Sequence, residues 1–225
     1  MVHPGRFNPN PLTQGADVKP HQLSAHLRKD HYGDFWLTEA IRPAPHLPVI
    51  PRQGYRLETY RDPSAGFSVP VLMASISREH LFDVFLDLLD PLGEEVDVVL
   101  ETSHRGKGSA HQDLFRELID LPVLKSYCCD FEELLMQDGC TGIAVLSTIG
   151  PMEVQFDEHK LLIVYAADLT PFTDMLDQHG IERDDSMAVI TEGEHLHSTN
   201  PSHRAVFERF CHRIGVGEPV QSVSW

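Results

Sequence analysis

Residues 141–166 read TGIAVLSTIGPMEVQFDEHKLLIVYA. Two turn-like breaks, Ile149-Gly150-Pro151 and Asp157-Glu158-His159, divide this stretch into Thr141–Thr148, Glu153–Asp157 and Lys160–Ala166. Short apolar runs bounded by turn residues read as strands, and connections this short join antiparallel neighbours. The stretch predicts a three-stranded meander. Leu161–Tyr165 is apolar without alternation, which points to a strand covered on both faces.

Upstream, Phe67–Ser75 reads as a strand, with Pro70 marking an edge or a bulge. Ser77 opens a helix to Asp90 whose apolar face is Leu81, Val84, Phe85, Leu88 and Leu89. Val96–Thr102 is a further apolar strand. Ser109 and Gln112 have the spacing of a capping box for a helix with Leu114, Phe115, Leu118 and Ile119 on one face. Asp130 and Glu133 repeat that spacing for a short helix to Gln137.

Downstream, Thr170-Pro171 starts a helix that ends at Gly180. Ser186–Thr191 reads as a sixth strand. Asn200-Pro201 starts the last helix, with Val206, Phe207, Phe210, Cys211 and Ile214 on its apolar face and Gly215 as its stop. The resulting order, βαβααβββαβα, predicts an α/β fold with a mixed sheet of about six strands between helices. An α+β arrangement with the helices on one face is the alternative.

Residues 1–65 have a different composition. Nine of the 16 prolines fall there, and their spacing favours extended chain. Leu23–Arg28 and Asp34–Ile41 leave room for two short helices. We read residues 1–65 as a proline-rich arm and residues 66–225 as one compact domain. Phe35 and Trp36 imply that the arm docks, either on its own domain or on a second subunit of a homo-oligomer.

The formal charge is −16, from 34 acidic and 18 basic residues. Nucleic-acid binding needs a basic footprint, so this balance argues against it. Cys128, Cys129, Cys140 and Cys211 include no C-x-x-C pair, which excludes a zinc ribbon and a disulfide framework. No apolar run approaches the ~20 residues that span a bilayer. The sequence starts without the features of a signal peptide, and the cytoplasm is the expected compartment.

Three polar strand exits carry the candidate chemistry. In the first, His104 precedes Arg105, Gly106, Lys107, Gly108 and Ser109, the clearest basic spot in an acidic chain. Glycine backbone followed by a helix N-terminus suits a small anionic ligand, and His104 is a candidate catalytic group beside it. In the second, Glu192, His195 and His197 offer a carboxylate and two imidazoles for a divalent metal such as zinc, iron or manganese. Period-two geometry puts His195 and His197 on one side of an extended chain. His203 is either a further ligand or solvent-facing. The third exit holds Asp168, either a catalytic base or a cap for the following helix.

No G-x-S-x-G, H-E-x-x-H, G-x-G-x-x-G or P-loop motif is present. The sequence does not decide whether the chain is an enzyme. It leaves a small-molecule enzyme or binding protein for an anionic ligand, assisted by a metal, against a non-catalytic interaction module that uses its arm. The first reading requires the loops at His104–Ser109 and His195–His197 to meet.

Overall fold

The computed structural model describes residues 26–45, 49–62, 66–104 and 112–216. Three short strands come first: β1 (His31–Tyr32), β2 (Phe35–Trp36) and β3 (Ile41–Pro43). Then follow β4 (Gly54–Asp62), β5 (Phe67–Ser75), α1 (Arg78–Leu88), β6 (Glu95–Thr102) and β7 (Gln112–Asp120). The second half contains α2 (Leu121–Asp130), α3 (Glu132–Gln137), β8 (Thr141–Ser147), β9 (Glu153–Phe156), β10 (Leu161–Tyr165), α4 (Thr170–Gln178), β11 (His195–His197) and α5 (His203–Ile214).

The fold is mixed α/β around a seven-stranded sheet of order β4-β5-β10-β9-β8-β6-β7. The meander β8-β9-β10 forms its centre, as the turns after Thr148 and Asp157 require. Every pairing in this sheet is antiparallel, in place of the expected mixed sheet. Short turns join β8 to β9 and β9 to β10, and such turns permit only antiparallel neighbours.

Among the described residues, all five α-helices cover one face. Leu81, Phe85, Leu124, Leu135, Phe172 and Phe210 meet Leu72, Val98, Val145 and Val164 from the sheet in the main core. The other face has a smaller core in which Ile41, Met187, Val189 and Ile190 cover Val71, Met73 and Leu161. The central strands are apolar on both sides because irregular chain covers the second face, so the one-sided helix arrangement holds.

Four segments depart from their sequence readings. Gln112–Asp120 is a strand, although Ser109, outside the described residues, and Gln112 have capping-box spacing. It pairs along all of β6 and satisfies backbone groups that would otherwise lie open. Leu118 takes a left-handed φ of 53° beside the register shift at Val96/Val98, and Ile119 turns inward. Asp34–Ile41 holds the second strand of the β1–β2 hairpin, an irregular stretch over 37–40 and the start of β3 in place of a helix. Ser186–Thr191 covers the sheet face and adds no strand to it. Gly54–Asp62, counted with the arm by composition, is the β4 edge of the main sheet.

Candidate metal centre

Register fixes which strand ends lie together. Thr102 at the end of β6 pairs with Thr141 at the start of β8. Ile143 pairs with Phe156, and Phe156 pairs with Leu162. The Asp157–Lys160 turn therefore sits at the same sheet end as the exit of β6.

This turn is built to present His159. Asp157 Oδ1 accepts the backbone N–H of His159 (3.0 Å) and of Leu161 (2.8 Å). Lys160 closes the turn at φ 62°, a conformation that costs a non-glycine residue roughly 1 kcal/mol. Its buried side chain holds it there, with Nζ donating to the Thr141 carbonyl at 3.0 Å. Burial pulls the Lys160 amine down to about 8, against the pull of the Asp157 and Asp138 carboxylates.

β11 reaches the same place from the opposite direction in sequence. It pairs antiparallel with β3, His195 opposite Pro43 and His197 opposite Ile41. Gly139 binds this strand to the loop before β8, its N–H donating to the Ser198 carbonyl at 2.8 Å. Only glycine fits here, since a Cβ would overlap the Ala40 and Ser198 carbonyl oxygens.

Three imidazoles thus converge. Ring centroids lie 4.9 Å apart for His159–His195, 4.8 Å for His159–His197 and 5.2 Å for His195–His197. Each ring commits Nδ1 to an acceptor: Asp157 Oδ2 at 2.8 Å for His159, the Gly193 carbonyl at 2.8 Å for His195, and the Gly139 carbonyl at 2.7 Å for His197. A carbonyl or carboxylate can only accept, so Nδ1 carries the proton in all three. In the neutral rings the lone pair is then on Nε2. One nitrogen from each ring lies within 4.8 Å of the others. Zinc at 2.0–2.1 Å from three nitrogens in tetrahedral geometry separates them by roughly 3.3 Å, a closure within reach of side-chain rotation.

The electrostatics suit a cation. Burial lowers the His159 pKa, but the Asp157 carboxylate outweighs it and holds the imidazole above its ordinary value. Desolvation lowers His197, and the neighbouring His159 and His195 rings add to this, so it favours the neutral form that binds metals. The Glu158 carboxylate acts on both His159 and His197.

The other sequence candidates distribute differently. Glu192 leaves the imidazoles and turns back, accepting Val189 N–H at 2.8 Å and pairing with Arg56 at 2.9 Å. Asp168 is exposed beyond the far end of β10, where it accepts Thr170 N–H at 2.9 Å. His104 does lie near, and its Nε2 donates to Asp138 Oδ2 at 2.7 Å, one residue before Gly139. Arg105, Gly106, Lys107, Gly108 and Ser109 are outside the described residues. His159 is the converging imidazole that the sequence alone does not point to. Its local signal is an imidazole in a tight, charged hairpin turn, with nothing in the sequence to show what it faces.

No family model, curated protein or solved structure matches this chain, so the geometry of the site carries the functional argument.

Proposed function

We propose that this protein is a metal-dependent enzyme that holds one zinc-class divalent ion through Nε2 of His159, His195 and His197. The observation that carries the reading is the uniform Nδ1 bonding of three converging rings. Outer acceptors that fix tautomer and ring orientation are the usual support of metal-binding histidines. A three-imidazole set leaves a fourth position open, as catalytic zinc sites do. His197 is exposed, which supports access to that position from solvent.

The chemistry supported is Lewis-acid activation of water or of a carbonyl or phosphoryl oxygen. Three neutral imidazoles would leave the charge of an ion held here uncompensated, and such an ion would supply acidification of a water that it binds. Glu158, next to His159 in the same turn, is the carboxylate we assign to take up a proton. A small anionic substrate is the class we assign, because Arg105 and Lys107 follow His104 within three residues in sequence.

Metal analysis of the purified protein, followed by zinc-dependent hydrolysis of activated carboxylate and phosphate esters, tests the proposal. We expect binding and turnover to fail together in His195→Ala, and Glu158→Gln to keep the metal while losing turnover. Undiminished zinc affinity at this centre in His195→Ala would overturn the metal reading. Zinc-loaded protein with no activity on either ester class would overturn the catalytic one.

A further inference from the structure

A second cluster lies on the other side of Gly139. His104, Asp138 and Cys140 each offer one ligand atom, and these atoms lie within 4.8 Å of one another. They come from the exit of β6 and the loop before β8. The pocket is closed: the His104 side chain is 7% exposed and that of Asp138 0%. Cys140 is half-buried, and burial raises its thiol pKa.

The Asp138 carboxylate gives an independent observation. Its Oδ2 accepts from His104 Nε2 at 2.7 Å and Thr141 Oγ1 at 2.5 Å. Its Oδ1 is buried and has no donor in hydrogen-bonding geometry, although the Thr199 hydroxyl lies against the carboxylate. His203 Nδ1 lies 3.3 Å from Oδ1. That nitrogen also accepts the Asn200 N–H at 3.3 Å, so a neutral His203 ring has no proton there to give Oδ1. Buried polar atoms are almost always bonded, and a buried anion without a full set of donors calls for a cation.

We propose that His104, Asp138 and Cys140 form a second metal site, closed and structural, with His203 on its fourth side. An imidazole, a carboxylate and a thiolate suit zinc. The ion would replace the proton between His104 and Asp138. Two donors at about 2.0–2.2 Å from zinc are roughly 3.3 Å apart, so the present 2.7 Å contact must widen slightly. On binding, the Cys140 S–H bond breaks, its proton passes to solvent and the sulfur–metal bond forms. His104 keeps one proton, moved from Nε2 to Nδ1. The occupied site would pin the exit of β6 to the loop that carries Gly139, and through Gly139 to His197. It does not depend on the three-histidine centre being catalytic or occupied.

Cobalt(II) titration of the full-length chain separates the two sites, because only a cysteine ligand gives a thiolate-to-cobalt charge-transfer band. We expect wild type to bind two equivalents and to show this band. The His159→Ala/His195→Ala/His197→Ala variant should keep one equivalent and the band. Cys140→Ser should lose the band and one equivalent while keeping the three-histidine ion. Wild type saturated with cobalt yet lacking the band overturns the second site, and needs no variant to fold. Cys140→Ser retaining both equivalents overturns it equally. If the triple-histidine variant loses an equivalent and Cys140→Ser loses none, the first centre is supported and this one is refuted.

Discussion

Replacing Asp157 by Asn changes one atom at the back of the three-histidine centre. Asp157 Oδ1 accepts two backbone N–H groups, at 3.0 and 2.8 Å, and Asn can keep both with its amide oxygen. The turn therefore survives. The amide NH₂ then faces His159 Nδ1, where Oδ2 now accepts at 2.8 Å. Two donors cannot face each other, so the ring moves its proton to Nε2, the nitrogen that should bind the metal. Binding must reverse this and break the new N–H···N bond. Loss of an outer-shell partner of this kind costs 10–100-fold in affinity, about 1.4–2.8 kcal/mol. Competition titration against a chromophoric zinc chelator reads that range directly. Asp87→Asn is the control, since it makes the same change at the exposed His179–Asp87 pair, 2.8 Å apart, and should leave zinc binding unchanged. If Asp157→Asn folds and binds zinc at this centre within twofold of wild type, His159 does not use Nε2 as argued.

Three other substitutions probe the frame around the site. Glu192 has its pKa raised by burial but lowered further by Arg56 and the Val189 N–H, so the net folded value lies below the usual carboxylate range. A depressed folded pKa contributes stability above the unfolded value of about 4.3 that is lost as pH falls through the folded one. Glu192 is 42% exposed in its side chain, so Glu192→Gln should remove less than about 1 kcal/mol at pH 7 and less at pH 3 than at pH 7, measured by urea unfolding at both. Gly139→Ala should cost about 1–3 kcal/mol by forcing the Ala40 and Ser198 backbones away, and should weaken zinc binding because Gly139 holds His197. Unchanged chelator competition in that variant would argue against the carbonyl's role. Phe85→Ala opens the main core where the ring meets Phe156 at 5.1 Å, and should cost about 3–5 kcal/mol by urea unfolding without altering zinc affinity in protein that remains folded.

What was legible in the sequence followed range. The meander was readable because β8, β9 and β10 are joined by turns only a few residues long. The helices α1, α4 and α5 were readable from apolar spacing and proline starts. Gln112–Asp120 was misread because local capping chemistry said helix while the open edge of β6 required a strand. α2 was overlooked although Asp120 and Pro122 repeat the start signal used at Thr170-Pro171. β4 was hidden by the prolines around it, yet its Tyr-Arg-Leu-Glu run alternates as an edge strand should. At the site, His195 and His197 could be paired because their relation is local. His159 lies 36 positions before His195 (195 − 159), and no local pattern spans that distance.

The described part of the arm and the candidate metal centre, read from sequence as rival places to look for function, are parts of one structure. Among the described residues β11 pairs only with β3, and β3 belongs to the arm. Ala44 N–H to the Glu194 carbonyl and Ser198 N–H to the Ala40 carbonyl, 2.7 and 2.8 Å, close the two ends of that pairing. Removing residues 1–45 should therefore release His195 and His197 while leaving β4 to β10 and their helical cover in place. It also uncovers the sheet face that Ile41 shields, at about 1.5–3 kcal/mol for that side chain alone. The truncated protein should keep its far-UV circular dichroism, melt at a lower temperature and lose the three-histidine equivalent of zinc, with the thiolate band in cobalt-loaded protein unaffected. A truncated chain that still binds zinc through His195 and His197 at wild-type affinity would show that the 193–198 segment holds its own shape. The arm would then be a cover for the sheet and no part of the site.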